Sequence, residues 1–316
     1  MKIVFMGTPD YAAGALNALI EAGHEITAVV TQPDKAKGRS NKLIFTPVKE
    51  CAVAHNIPVM QPIKIKTPDA IAQLKQYEAD VYVVAAFGQI LSQEILDIPA
   101  YGCLNIHASL LPKYRGASPI QHAIIDGEAE TGVTIQQMNI GIDTGDILYK
   151  KVIAIDPKDT YESLFEKLTV LGGEAIVETL ELLEEGALVA EPQDNSLSSY
   201  APLINKERGN IDFSRSAIEI ERLIRGLNPW PSAFTYYNGK QLKVWAAEVE
   251  AYEAQKEDGR EVACGMVVEV TKNTIKVATG EGLLCINELQ LEGKKRMSTH
   301  DFLLGVKVQP GEKLGK

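Results

Sequence analysis

Ala79-Asp80-Val81-Tyr82-Val83-Val84-Ala85-Ala86 places apolar side chains at both odd and even positions over most of its length. A strand that is apolar on both faces is covered on both faces, which is the situation of an inner strand in a parallel sheet. The flanking sequence agrees. Residues 2–7 are a short apolar strand ending in glycine. Residues 11–22 follow as a helix in which Ala12, Ala15, Leu16, Leu19 and Ile20 recur on one side. A strand over 26–30 leads into a Pro/Lys/Gly-rich loop, 32–42. A helix over 47–55, a short strand over 58–60 and a helix over 68–77 then reach the quoted stretch. Beyond it lie a short helix, 92–96, and another strand, 102–106. Strands alternating with helices in this way predict an α/β fold built on a doubly wound (Rossmann-like), mostly parallel sheet.

Farther along, a helix is expected over 117–126, a strand over 132–138 and an antiparallel closing strand over 147–155. Residues 161–185 read as one long helical stretch containing Gly172-Gly173. Two glycines cost a continuous helix about 1 kcal/mol each relative to alanine, so the pair marks either a break or a close packing contact. From residue 210 the pattern changes. A helix over 218–226 precedes the rigid Pro229-Trp230-Pro231 turn, and short strand-like runs follow at 233–237, 243–249, 265–270, 274–277 and 282–291. Short strands separated by Gly-containing turns imply a small β-barrel. The expected division is an α/β domain over 1–190, a linker over 191–207 centred on a polar stretch, and a barrel domain over 208–316.

Composition narrows the class. Of 316 residues, 45% are hydrophobic, as in ordinary globular proteins. Cys51, Cys103, Cys264 and Cys285 are far apart, which argues against a disulfide framework or a structural zinc site. The start of the chain lacks the apolar run of a signal peptide, and no later run suits a membrane span, so a cytoplasmic protein is expected. The formal net charge is −10. Residues 207–316 hold equal numbers of acidic and basic side chains, so the excess sits in residues 1–206. That balance disfavours general nucleic-acid binding, which needs local positive potential. One basic island opposes the trend: Lys35, Lys37, Arg39 and Lys42, countered only by Asp34. Lys294-Lys295-Arg296 is a second, smaller group.

The residues able to carry chemistry cluster after strand ends. Asn105 and His107 are two positions apart and so share one side of a strand. Asp143 lies in the glycine-bracketed turn Gly141-Ile142-Asp143-Thr144-Gly145-Asp146. An amide donor, an imidazole and a carboxylate suit transfer of an acyl-type group. When an amine attacks a formyl carbon, negative charge grows on the carbonyl oxygen, where Asn105 and protonated His107 can stabilise it. Asp143 can orient His107 or relay the amine's proton through a water. Phe87-Gly88-Gln89-Ile90-Leu91 follows the inner strand, at the sheet end where open α/β folds bind ligands. A flat ring could rest there against Phe87, Ile90 and Leu110; the competing reading is a hydrophobic loop that seals the sheet. Gly7-Thr8-Pro9 forms a tight strand-to-helix turn, either structural or substrate-contacting. The dinucleotide pattern GxGxxG is absent. A metal site fails on ligand supply, and no nucleophile elbow accompanies Ser109.

These segments resemble the methionyl-tRNA formyltransferases over essentially the whole chain. The likeness rests on Phe5-Met6-Gly7-Thr8-Pro9-Asp10-Tyr11-Ala12, Thr31-Gln32-Pro33-Asp34, Ala86 to Leu91, and Asn105 to Pro112. It continues through Tyr114 to Gln121, Glu130-Thr131-Gly132-Val133-Thr134, Gly141 to Asp146 and Asn228-Pro229-Trp230-Pro231. The resemblance implies formyl transfer from 10-formyltetrahydrofolate, as co-substrate and with no metal, to the α-amine of methionine on initiator tRNA. Catalytic roles would then fall on Asn105, His107 and Asp143. The folate would lie along Phe87, Gly88, Gln89, Ile90 and Leu91 and against Ser109, Leu110, Leu111 and Pro112. Lys35, Lys37, Arg39 and Lys42 would approach the acceptor end of the tRNA, with Arg39 the main contact. The second domain would be an OB-like barrel holding the tRNA stem, and no membrane or obligate protein partner is implied.

Two rival readings carry different expectations. A formyltransferase for a small amine, such as an amino-sugar nucleotide or glycinamide ribonucleotide, would share the Asn/His/Asp set without needing the basic loop. A non-catalytic RNA-binding protein would leave that polar set without a reason to exist.

Overall fold

The structure is a computed structural model that describes residues 1–37, 42–251 and 262–315. The chain divides into two compact units. One comprises Met1–Pro119, Glu130–Ala154 and Phe165–Ala201; the other comprises Ile120–Ala129, Ile155–Leu164 and Pro202–Lys316.

In the first unit, β1 (Lys2–Gly7) leads through α1 (Asp10–Glu21) to β2 (Glu25–Val30). The expected loop at 32–42 instead contains a small hairpin, β3 (Lys35–Lys37) and β4 (Lys42–Ile44), with Lys35 opposite Ile44 and Lys37 opposite Lys42. Its root is pinned. The Thr31 and Thr46 hydroxyls bond each other at 2.8 Å, and Lys49 bridges Asp34 and Gln61. These non-local partners, rather than three-residue strand propensity, hold the hairpin's base.

Then come α2 (Pro47–Ala54), β5 (Val59–Met60), α3 (Pro68–Leu74), β6 (Val81–Ala85), α4 (Gln93–Leu96) and β7 (Cys103–His107). Helices α2 and α3 begin alike. Thr46 and Thr67 cap them by accepting from Lys49 N and Ala70 N, and a proline supplies the first turn. The chain continues through β8 (Arg115–Gly116), α5 (Pro119–Asp126), which falls almost wholly in the second unit, β9 (Glu130–Gln137), β10 (Ile147–Ala154), α6 (Tyr161–Glu184), which joins the first unit from Phe165, and β11 (Tyr200–Ala201).

The seven-stranded sheet has the order β10-β9-β7-β6-β1-β2-β5. Strands β5, β2, β1, β6 and β7 run parallel, while β9 is antiparallel to both β7 and β10. The apolar patterning of β1 and β6 is realised as complete burial: Ile3, Val4, Phe5 and Met6, like Val81, Tyr82 and Val83, are inaccessible. The chain runs outward from β1 to β2 and β5, then returns to β6 on the other side. Such a reversal is the switch point at which open α/β sheets bind ligands, here at the carboxyl ends of β1 and β6.

Helix α6 is unbroken through Gly172-Gly173. A Cβ on Gly173 would lie 2.8 Å from the Cβ of Ala18, and one on Gly172 would lie 3.0 Å from the Tyr11 hydroxyl. The glycines therefore permit close approach to α1, and the propensity loss is the cost of that contact.

In the second unit, α7 (Ala217–Gly226) starts with a reciprocal capping box between Ser216 and Glu219. It is followed by β12 (Ala233–Tyr237), β13 (Lys240–Glu250), β14 (Val267–Val270), β15 (Ile275–Ala278), β16 (Leu283–Leu291), β17 (Met297–Ser298) and α8 (Thr299–Gly305). The antiparallel order is β12-β13-β16-β15-β14, with β17 also on β16. Ile220 and Ile224 of α7 join Leu242, Val244, Val277, Leu284, Ile286 and Phe302 in one core. Closure comes through the chain's tail. Val267 N donates to Glu312 O, Leu314 N to Gly265 O and Gly315 N to Tyr236 O, so residues 312–315 bridge β14 and β12. Helix α8, capped by Ser298, was not anticipated from the sequence.

Candidate active site

Strand β7 runs between β6 and β9, with Val84, Asn105 and Gln136 side by side and His107 opposite Thr134. Asn105 and His107 therefore project from one face of the sheet near its carboxyl edge. Strand β9 leaves the sheet into the turn that carries Asp143. The backbone of Asp143 is left-handed, φ +52°, a conformation that most L residues avoid and that outside contacts must sustain.

Four groups converge on the Asp143 carboxylate. Gly116 N donates to Oδ2 at 2.8 Å, Gln136 Nε2 donates to Oδ1 at 2.9 Å, and Asn105 Nδ2 reaches the same Oδ1 at 3.4 Å. His107 Nδ1 faces Oδ1 at 3.6 Å. The expected trio of Asn105, His107 and Asp143 does meet. Gln136 is a fourth member, one that its place in a strand does not single out. Its side chain is 2% exposed, and no strand pattern distinguishes such an amide from a satisfied core residue.

His107 is 6% exposed and oriented from its far side, where Nε2 lies 2.9 Å from the Tyr114 carbonyl. A carbonyl only accepts, so Nε2 carries a hydrogen and Nδ1 is the nitrogen that faces Asp143. Tyr114 itself sits at φ +59°, which turns its carbonyl toward the ring. Gly116 has its own constraint. A Cβ there would lie 2.8 Å from Ala201 O and 2.7 Å from the Tyr200 ring, because β11 pairs alongside β8.

The expected folate-side loops divide by exposure. After β6 the chain turns sharply through Ala86 (φ +44°) and Gly88 (φ +82°). Phe87 packs into the core cluster with Val84, Leu91 and Leu96. Its side chain is buried there, and Thr8 Oγ1 and Gln32 Nε2 hold its carbonyl at 3.2 and 3.1 Å. Gln89 is likewise committed. Its Oε1 accepts from Ile65 N, and its Nε2 donates to Pro62 O. Ser109 donates to Lys113 O at 2.7 Å and Leu111 is buried, so both help to shape the 109–113 turn. Ile90, 61% exposed, and the half-buried Leu110 and Pro112 remain as apolar surface. Ile140 and Ile142, 70% and 57% exposed on the Asp143 turn, add to it.

Lys35, Lys37 and Lys42 lie in the hairpin strands. Arg39 and the side chains of those lysines lie outside the described residues. Among the described residues, no three His, Cys, Asp or Glu side chains gather where they could hold a metal ion. No helix among them is long and apolar enough to cross a membrane.

Two family models match the chain: formyl transferase over residues 1–180, and formyl transferase C-terminal domain over residues 203–307. The chain is 54% identical to the methionyl-tRNA formyltransferase of Lachnospira eligens, with 100% of each chain covered. It is 51% identical to that of Agathobacter rectalis over 98% of each. Among solved structures, it resembles the sugar 3N-formyl transferase WlaRD, in the presence of dTDP and 5-N-formyl-THF. That match has a TM-score of 0.65 at 23% identity, covering 93% of this chain and 99% of the other. It also resembles an N-formyltransferase from Helicobacter canadensis in complex with folinic acid and dTDP-3-aminofucose. There the TM-score is 0.67 at 20% identity, covering 94% and 100%. At these identities the structural likeness is one of fold.

Proposed function

This chain belongs to the methionyl-tRNA formyltransferases, and on that premise we propose that it transfers the formyl group of 10-formyltetrahydrofolate to the α-amine of methionine on initiator tRNA. The observation that carries the reading is the convergence of Asn105, Gln136 and His107 on one carboxylate oxygen of Asp143.

The reaction forms a bond from the methionine nitrogen to the formyl carbon and breaks that carbon's bond to the folate nitrogen. One proton leaves the amine, and one is delivered to the departing nitrogen. Asn105 is held only loosely at 3.4 Å, so its amide hydrogens are available to the oxygen on which charge develops. His107 Nδ1 and Asp143 Oδ1, 3.6 Å apart, form the pair that takes the proton of the attacking amine. When protonated, His107 can also direct its Nδ1–H to the oxygen on which charge develops, since only Nε2 is occupied by Tyr114 O. Main-chain groups of 86–91, with Ile90, Leu110 and Pro112, offer the polar edge and apolar flank that a flat co-substrate ring needs.

Residues 1–190 would carry the chemistry and 208–316 would hold the RNA, connected by 191–207, with the protein acting in the cytoplasm. Lys35, Lys37 and Lys42 would meet phosphates and Arg39 the unpaired acceptor end. The deciding assay offers formyl-folate with charged initiator tRNA, an amino-sugar nucleotide or glycinamide ribonucleotide in parallel. Turnover with the tRNA is expected, and turnover with a small amine alone would remove the assignment.

A further inference from the structure

Gln193 follows α6, in a stretch whose polar composition suggested a tether, yet its amide is engaged at both ends with the Asp143 turn and its support. Nε2 donates to the main-chain carbonyl of Asp143 at 3.0 Å and to that of Gly145 at 2.7 Å. Oε1 accepts from Arg115 Nε at 3.0 Å and Nη2 at 2.7 Å. Arg115 Nη2 also donates to Asn195 Oδ1 at 2.8 Å. The next residue, Gly116, holds the Asp143 carboxylate itself through its N–H. Arg115-Gly116 therefore reaches Asp143 by two routes: directly to the carboxylate, and through Gln193 to the backbone.

The turn cannot set this geometry alone. Its internal side-chain bonds join Asn139 to Gly141 N and to the Thr144 hydroxyl, and neither touches Asp143. Asp143 occupies left-handed backbone space, which persists where surrounding structure over-determines it. A primary amide is the one side chain of this length that can donate to two carbonyls while accepting from a guanidinium.

We propose that Gln193 is a positioning residue for the Asp143 carboxylate, orienting it through the 143–145 backbone; this rests on the role given to Asp143 above. The competing account is that Gln193 merely fastens its own segment to Arg115.

Gln193→Glu separates the two. Glutamate keeps the acceptor oxygens for Arg115 and strengthens that contact with a charge, but it removes both donors to the turn. The test compares kcat, the KM for 10-formyltetrahydrofolate and the thermal midpoint of wild type, Q193E and Q193A, using whichever amine the wild type turns over. Both variants should lose about 10- to 100-fold in kcat, the range expected for a misplaced reacting group. KM should stay within about twofold, and Q193E, which keeps the Arg115 contact, should melt no lower than Q193A. Wild-type kcat in Q193E, whether or not Q193A is impaired, would overturn the proposal in favour of the fastening role. The wild type's choice among amine acceptors tests the functional reading separately, because the variant-to-wild-type ratio does not depend on which acceptor is used.

Discussion

Asn105 and Gln136 stand directly opposite each other on the antiparallel pair β7 and β9, and both amides point to Oδ1 of Asp143. Gln136 makes the shorter bond, 2.9 Å against 3.4 Å, and is the more deeply buried. Gln136 is thus the tighter hold on the carboxylate, and the proposed role of Asn105 toward the substrate draws on its longer, looser contact.

Replacing Gln136 by leucine should remove one charge-assisted hydrogen bond from Asp143 without opening a cavity. Such bonds contribute roughly 1.5–3 kcal/mol, so kcat should fall about 10- to 100-fold with substrate KM little changed. Steady-state kinetics at saturating tRNA would read this, and an unaltered kcat would refute the holding role.

His107→Ala should lower formyl transfer by at least about 100-fold while tRNA binding barely changes. Asp143→Ala should cost a similar factor. Because the two act on one proton, the double variant should be no slower than the worse single one. Losses that multiply in the double variant would mean that the two side chains act independently.

A Cβ on Gly145 would sit 1.7 Å from the carbonyl oxygen of Gln137. Gly145→Ala must push the turn off the end of β9, with an expected loss of about 1–3 kcal/mol in denaturant melts and a marked drop in activity. Retention of both would show that the turn tolerates displacement.

At the hairpin root, the Lys49 hydrogen bond, aided by Gln61, holds the Asp34 carboxyl below its ordinary range. Its folded pKa is thus depressed relative to the unfolded chain, so the stabilisation is present above the unfolded value, about pH 4, and is lost as pH falls through the lower folded value. The stability difference between wild type and Asp34→Asn should be constant near neutrality and shrink below about pH 4. Urea melts across this range would check it, and a difference that widens in acid would contradict it.

Arg39→Ala should weaken the use of charged tRNA while sparing any reaction with a small amine acceptor. Comparison of kcat/KM for both acceptors is the measurement. An equal loss with each would count against a tRNA-contacting role.

Much of the architecture was legible in short-range patterns. The two-sided apolar run of β6 announced an inner parallel strand, and it is buried throughout. Period-two spacing alone placed Asn105 and His107 on one face, as found. The 32–42 segment was less legible, because three-residue strands carry little signal and the root of this hairpin is secured by Thr46, Lys49 and Gln61 from beyond it. Closure of the second unit by residues 312–315 was equally hidden, since a tail without strand patterning is recruited only where edges stand open.

Local chemistry, written residue by residue, determined which polar side chains were candidates and on which face of a strand they stand: an amide and an imidazole two positions apart, and a carboxylate in a turn. Tertiary structure alone decided that Gln136 and Gln193 serve Asp143, that Phe87 turns inward, and that Tyr114 takes one nitrogen of His107. The physical reason is that side-chain alternation is a property of one strand, whereas hydrogen-bond partnership depends on register between segments tens of residues apart. That register is set only when the hydrophobic faces dock and exclude water.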